Sequence, residues 1–185
     1  MRSADFRAVL YSAPFPGTDS CRTSISSIDR RQHVATVTFD RPAKANALNP
    51  ALMREIEAAA IAFADDTETR VVIFTGAGRH FSSGADLSDG GTVPVTLIER
   101  RRRARLGERV MRALLEMDQI TIGAWNGAAM GGGGCIAAAM DLRVGAEDCF
   151  MQFPEIDIGI NLMWQSLRWS LAGGCSARKT AGDRR

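Results

Sequence analysis

The pattern of hydrophobic and polar positions predicts a strand and then a helix near the start of the regular part of the chain. Residues 33–42 alternate apolar and polar side chains and end at a proline turn, which is typical of a half-buried strand. Asn49 followed by Pro50 is an N-cap signal with proline at the first helical position. The predicted helix carries one apolar stripe, which consists of Leu52, Ile56, Ala59, Ala60 and Phe63.

Further apolar patterns continue this alternation of strands and helices. They predict buried strands at 69–78 and 120–127 and two short extended pieces around Pro154 within 143–160. They also predict two helices. One spans 97–117 with Leu106, Val110, Leu114 and Met117 facing inward, and the other runs from about Cys135 to Leu142. The repeating unit is a strand, a glycine-bearing loop and a helix. This unit indicates an α/β fold built in layers.

The two ends of the chain lack such patterns. Residues 1–31 contain scattered Ser, Pro, Gly and Arg, and we expect them to form a loose leader. Residues 32–167 are the predicted core domain. Residues 168–185 are small and basic without an apolar stripe, which is typical of a disordered tail.

Composition narrows the class of protein. With 185 residues, of which 45% are hydrophobic, the chain is long enough for one domain with a sizeable core. The net charge of +2 gives no argument for a nucleic-acid or membrane partner. The four cysteines form no CxxC pair, so neither a disulfide framework nor a metal site is expected. No apolar run approaches the ~20 residues of a membrane helix. These features predict a soluble cytoplasmic protein.

Four consecutive glycines, residues 131–134, precede a predicted helix. Backbone N–H groups at a helix N-terminus have no intrahelical partner, and glycine lets a ligand oxygen approach them. One use is dinucleotide binding, since Gly132, Gly134 and Ala137 fit G-x-G-x-x-A, although residues 125–130 separate the apolar run from the first glycine. Another use is an oxyanion hole for a reacting carbonyl, and a third interpretation is simply a tight turn.

An oxyanion hole needs a second donor from another part of the fold. The segment SSGAD, residues 82–86, is a second glycine-containing loop after a second predicted buried strand. Two such loops on neighbouring strands could aim two N–H groups at one oxygen.

Four linked segments resemble the enoyl-CoA hydratase/isomerase (crotonase) superfamily. These segments are VATVTFDRPAKANALN, VVIFTGAGRHFSSGADL, WNGAAMGGGGCIAAAMDLRV and FMQFPEIDIGI, in the family's order over roughly residues 33–167. The resemblance implies a crotonase-like α/β spiral of ββα repeats that binds an acyl-CoA thioester and assembles as a homotrimer or hexamer. No cofactor is implied, because coenzyme A is part of the substrate. The family usually continues with further helices, so the resemblance implies that this C-terminal helical region is shortened or missing here.

The resemblance also assigns site residues. The two oxyanion donors would be the backbone N–H groups of Ala85 and Gly133. The substrate-binding segments would include these two residues together with Ala43, Lys44, Asp86, Leu87, Gly132 and Pro154.

The acid–base residues depart from the pattern of the family's hydratases. Those enzymes have a glutamate three residues after the second oxyanion glycine, where this chain has Ile136. A second glutamate follows a proline in the next motif, and Glu155 matches it. Two carboxylates suit the addition of water, whereas a 1,3-proton shift needs only one base. The resemblance therefore favours isomerase-like enolate chemistry over hydration, with a non-catalytic acyl-CoA-binding subunit as the alternative.

Several polar residues also have structural interpretations, as alternatives to a catalytic or binding role. Glu155 could be a helix cap or a solvated charge, and Asp141 and Asp157 are expected to be structural and on the surface, respectively. Asp86 is expected to take part in loop hydrogen bonding. The arginines within 100–105 predict a solvated helix face, with CoA phosphates or a polyanion as alternative contacts.

Overall fold

A computed structural model describes residues 25–89, 96–155, 157, 159 and 164, with residues 25–31 described by their backbone alone. In this part of the chain the strands are β1 (Ile25–Arg31), β2 (Val34–Phe39), β3 (Val71–Gly76), β4 (Ile120–Trp125), β5 (Ala128–Met130), β6 (Leu142–Gly145) and β7 (Phe150–Gln152). The helices are α1 (Pro50–Ala64), α2 (Leu97–Leu115) and α3 (Gly132–Ala139).

Five of these strands form one sheet in the order β1-β2-β3-β4-β6. The pair β1 and β2 is antiparallel, and the remaining neighbours are parallel. Because parallel neighbours need a crossover, the helices lie between them in sequence, as the alternation of patterns predicted. β5 and β7 form a separate parallel pair.

The sheet buries alternate side chains of β2, β3 and β4, whereas all four residues of β6 are exposed. Along β2 and β3, Val37 lies opposite Phe74 in the parallel register, and both side chains are fully buried. The sequence predicted that β3 is buried on both faces. Within the described residues one face of β3 is fully buried, and the side chains on the other face are only partly buried. Helices α1 and α2 pack together and share the hydrophobic core with the buried face.

The ends of α1 and α2 follow local signals. The side chain of Asn49 accepts a hydrogen bond from the N–H of Leu52 at 2.8 Å, and Pro50 is the first helical residue, which confirms the predicted cap. The whole predicted stripe of α1 is buried. Thr96 and Glu99 form a reciprocal capping box at the start of α2. None of the helices in the described part of the chain is long and apolar enough to cross a membrane.

Three predicted details were wrong. β1 lies inside the segment 1–31, where no periodicity indicated an element, because it is formed by backbone pairing with β2. α3 begins at Gly132 and ends at Ala139, three residues earlier at each end than predicted, and Leu142 belongs to β6. The two extended pieces, β6 and β7, both precede Pro154 rather than flanking it. The leader before residue 25 and the tail 168–185 lie outside the described residues.

Candidate active site

The glycine block forms the start of α3 and leaves its N-terminus bare. Gly131 is the N-cap with a φ of 48°, and no side chain caps the helix. Gly132 and Gly133 are the first two helical residues, so their N–H groups have no acceptor within the helix. All eight residues of α3 are buried. The backbone therefore offers donors at the positive end of a helix that is packed inside the molecule.

The second glycine-containing loop runs beside this helix start. Ser82 exchanges two backbone hydrogen bonds with β5: its N–H donates to Ala128 and its carbonyl accepts from Met130, at 3.1 and 2.9 Å. These bonds tie the beginning of the loop to the short strand that leads into the glycine block. The hydroxyl of Ser82 also accepts from the N–H of Gly84 at 3.2 Å, which fixes the turn in between.

The end of the loop is held by Leu48 on its other side. The N–H of Leu48 donates to the carbonyl of Gly84 at 2.7 Å, and the carbonyl of Leu48 accepts from Asp86 at 3.1 Å. Because N–H groups alternate in direction along an extended chain, the N–H of Ala85 is directed away from Leu48. Among the described residues no acceptor receives this N–H.

The two loops are in direct contact. A β carbon placed on Gly84 would stand 2.7 Å from the carbonyl oxygen of Met130 and 3.5 Å from the nitrogen of Gly132. One placed on Gly133 would stand 2.6 Å from the β carbon of Ser82. Both positions therefore require glycine. The structure thus brings together the loops that contain Ala85 and Gly133, as the motifs predicted.

Glu155 lies on another side of the same helix start. Its Oε1 is 2.8 Å from the position that a β carbon would take on Gly131, and its Oε2 is buried without a hydrogen-bond partner among the described residues. The N–H of Gly131 donates to the carbonyl of Gln152 at 2.8 Å. This bond places the end of β7, and with it Pro154 and Glu155, next to the start of α3. A buried carboxylate oxygen without a partner costs free energy, and contact with a ligand is one way to supply the missing partner.

The predicted coenzyme A segments form two neighbouring turns. Ala43 and Lys44 lie in a short 3-10 helix, Pro42–Lys44, and both are exposed. Leu87 begins a second one, Leu87–Asp89, and 82% of its surface is exposed.

Asp86 connects the two turns. Its carboxylate accepts from Arg41 at 2.9 Å and from the hydroxyl of Ser88 at 2.6 Å. The Ser88 hydroxyl and then the Arg41 guanidinium lower the pKa of Asp86, against the opposing effect of desolvation. The prediction that Asp86 serves loop hydrogen bonding is confirmed.

Sequence reasoning missed Asn46, which organises the loop beneath these turns. Its side chain is fully buried, accepts from the N–H of Arg41 at 2.8 Å, and donates to the carbonyls of Ala77 and His80 at 2.9 and 2.7 Å. Its φ is 55°. The available signal was an asparagine in a short strand-to-helix connection, since asparagine tolerates this left-handed conformation and bonds to nearby backbone.

Ile136 lies in α3 with 1% of its surface exposed and belongs to the hydrophobic core. An aliphatic side chain neither accepts nor donates a proton. The position at which the resemblance implied a glutamate in hydratases is therefore occupied by a packing residue in this chain.

The other polar candidates have structural or solvent contacts. Asp141 accepts from both the N–H and the hydroxyl of Thr121 at 2.8 Å, which confirms its structural interpretation. Asp157 is exposed, as expected. The arginines within 100–105 are all exposed on α2, as the interpretation of a solvated face predicted.

Comparisons with known proteins point to one family. The model of the family described as enoyl-CoA hydratase/isomerase matches residues 29–179. The short-chain-enoyl-CoA hydratase of Clostridium acetobutylicum is 36% identical over 134 residues, which are 72% of this chain and 51% of that protein. The crotonyl-CoA hydratase of Syntrophomonas wolfei is 33% identical over 134 residues, with the same coverage of 72% and 51%.

Solved structures agree with this result. The enoyl-CoA hydratase of Bacillus anthracis superposes with a TM-score of 0.74 at 29% identity, covering 80% of this chain and 57% of that one. An enoyl-CoA hydratase/isomerase of Mycobacterium abscessus gives 0.66 at 34% identity, covering 74% and 52%. The mixed α/β architecture is thus the crotonase fold that the motifs predicted. The chain spans about half the length of the relatives it matches.

Proposed function

The chain belongs to the enoyl-CoA hydratase/isomerase family, and on this basis we propose that it binds an acyl-CoA thioester and stabilises its enolate where the two glycine loops meet. The observation that carries the proposal is the carboxylate of Glu155, one oxygen of which is buried. It lies against the N-cap of a helix with bare N–H groups, and one of its oxygens has no partner among the described residues.

The backbone donors would bind the thioester oxygen. The N–H of Gly133 lies at the positive end of α3, and the N–H of Ala85 is directed away from Leu48 in the adjoining loop. Negative charge that develops on the carbonyl oxygen in the enolate would be stabilised by both donors. Removing one such donor in an enzyme typically costs about 10²–10³-fold in rate.

Glu155 would carry the proton. In a 1,3-shift on a 3-enoyl-CoA, its carboxylate takes a proton from C2, and the electron pair of that C–H bond moves into the enolate. The same carboxyl then returns the proton to C4, while the double bond moves from C3–C4 to C2–C3. The reaction consumes no water and needs no second acid.

Ile136 supports this reaction over hydration. Hydration needs one group to activate water and one to deliver a proton, and losing a general acid–base group typically costs about 10²–10⁴-fold. The core position of Ile136 gives α3 no second carboxylate at this point. The relatives named above carry hydratase names, and the reaction proposed for this chain differs from hydration.

The binding surface would extend over the two exposed turns. Ala43, Lys44 and Leu87 are exposed beside the loop that contains Ala85. Lys44 would supply a positive charge to a phosphate of coenzyme A, and Asp86 would hold the turns in place through Arg41. Gly132 and Pro154 would line the pocket next to Gly133 and Glu155.

Proton exchange in heavy water tests the proposal. The protein is incubated with a panel of 2-enoyl- and 3-enoyl-CoA thioesters, and deuterium uptake at the α-carbon is followed by mass spectrometry. We expect uptake and double-bond migration by the wild type. Glu155→Gln should reduce both by about 10²–10⁴-fold while thioester binding survives.

The matched control is Asp157→Asn, which removes an exposed carboxylate two residues away and should leave the rate unchanged. Thioester binding without exchange by the wild type would identify the alternative, a non-catalytic acyl-CoA-binding subunit; the buried apolar Ile136 is the observation that favours it. Absence of thioester binding would refute both functions.

A further inference from the structure

The indole of Trp164 lies between α2 and α3. A β carbon placed on Gly107 of α2 would strike the five-membered ring, at Cε2, Nε1 and Cδ1. One placed on Gly132 of α3 would strike the six-membered ring, at Cζ3, Cε3 and Cη2. The ring therefore spans the gap between the two helices and packs against the hydrophobic core.

This packing accounts for a glycine in the middle of α2. Glycine is a poor helix former, and Gly107 is buried in the interior of the 19-residue helix. An alanine there would meet the indole. The indole of Trp164 therefore occupies the space that a side chain at position 107 would need.

The ring also borders the candidate active site. The three consecutive glycines at the start of α3 face three different neighbours: Gly131 faces Glu155, Gly132 faces Trp164, and Gly133 faces Ser82. The bare helix N-terminus is thus enclosed by a carboxylate, an indole and the second glycine loop. The indole is the apolar member of this enclosure.

We propose that Trp164 closes the acyl end of the pocket and restricts the protein to short acyl chains. The inference rests on the proposed function. In this proposal an acyl group with its carbonyl oxygen at Gly133 and its α-carbon beside Glu155 would extend towards Gly132, the glycine that the indole covers. There it meets the indole after a few carbons, because the ring occupies the space between α2 and α3. An apolar wall suits the end of a short alkyl chain.

Calorimetric titration with saturated thioesters tests the chain-length limit independently of turnover. Butyryl-CoA and decanoyl-CoA are titrated into the wild type, Trp164→Ala and Trp164→Phe, with free coenzyme A as the reference ligand. We expect the wild type to bind butyryl-CoA more tightly. Trp164→Ala should shift the ratio of the two dissociation constants at least tenfold towards decanoyl-CoA, and Trp164→Phe should shift it less.

The outcomes separate the two proposals. An unchanged ratio in Trp164→Ala, or equal affinities in the wild type, overturns the chain-length limit and leaves the proposed function standing. Failure of both thioesters to bind the wild type more tightly than free coenzyme A refutes the proposed function as well. If Trp164→Ala does not fold, Trp164→Leu takes its place, since leucine retains part of the buried volume.

A second measurement tests the position of the ring itself. Gly107→Ala should lower the melting temperature in the wild type, because the new methyl group meets the indole. In the Trp164→Ala background the same change should raise the melting temperature, because alanine is the better helix former. Equal effects of Gly107→Ala in both backgrounds would show that the ring does not pack there, and this would overturn the inference.

Discussion

Replacing Gly84 by alanine tests whether the two glycine loops meet as described. Gly84 has a φ of 86°, and its new β carbon would stand 2.7 Å from the backbone oxygen of Met130. The left-handed conformation costs an L-residue on the order of 1–2 kcal/mol. Overpacking against a backbone atom, which cannot rotate away, adds about 1–3 kcal/mol. We therefore expect Gly84→Ala to lower the free energy of unfolding by about 2–5 kcal/mol.

Gly78 provides a matched control. Its φ of 74° is similar, but the nearest atom to its added β carbon is Cβ of Pro42 at 3.1 Å. Gly78→Ala should therefore show the conformational cost and little of the contact cost. The difference between the two variants, about 1–3 kcal/mol, measures the contact between the loops. Urea unfolding with a shared m-value gives both free energies.

The same variant has a consequence for activity. Moving Gly84 away from Met130 displaces the N–H of Ala85, so α-proton exchange should fall by the ~10²–10³-fold typical of a lost oxyanion donor. Gly78→Ala should keep its exchange rate. Equal destabilisation by the two substitutions, or full activity in Gly84→Ala, would refute the convergence of the loops.

Two further predictions concern groups that hold the scaffold. Because the folded-state pKa of Asp86 is lowered, its contribution to stability is present above the unfolded pKa of about 3.9 and is lost as the pH falls through the lower folded value. Thermal melts from pH 7 to pH 3 should therefore show a shallower acid-side decline in Asp86→Asn than in the wild type, and parallel declines would contradict this. Asn49→Ala should lower the free energy of unfolding by about 1 kcal/mol, measured in urea, because the N–H of Leu52 loses its acceptor. Asn49→Asp keeps an acceptor and should restore most of that stability.

Features with local causes could be predicted from the sequence. The cap at Asn49 and the buried stripe of α1 depend on residues within a few positions of each other, and both are confirmed. The two glycine loops were also recognised, because each follows a buried strand. β1 was missed because residues 25–31 show no periodic pattern in the sequence, whereas the structure pairs them with β2.

At the start of α3, helix propensity does not predict the observed structure. Glycines disfavour helix, so the prediction began the helix at Cys135, yet three glycines form its first turn. Their burial against Ser82, Trp164 and neighbouring strands overrides the local preference. Trp164 and Asn46 were missed for a related reason, since each acts on residues more than thirty positions away. The catalytic assignments of Ala85, Gly133 and Glu155 stay predictions.

The donors at the start of α3 belong to the main chain, and this has a consequence for mutational scanning. A substitution that leaves the backbone in place keeps each amide hydrogen where it was, so only a substitution that moves the main chain, as Gly84→Ala is expected to do, would affect these N–H groups. Glu155, by contrast, can be lost or regained in one codon change without disturbing the amides. Divergence within such a scaffold can therefore change the carboxylate beside the helix start while the main-chain N–H groups of α3 stay the same.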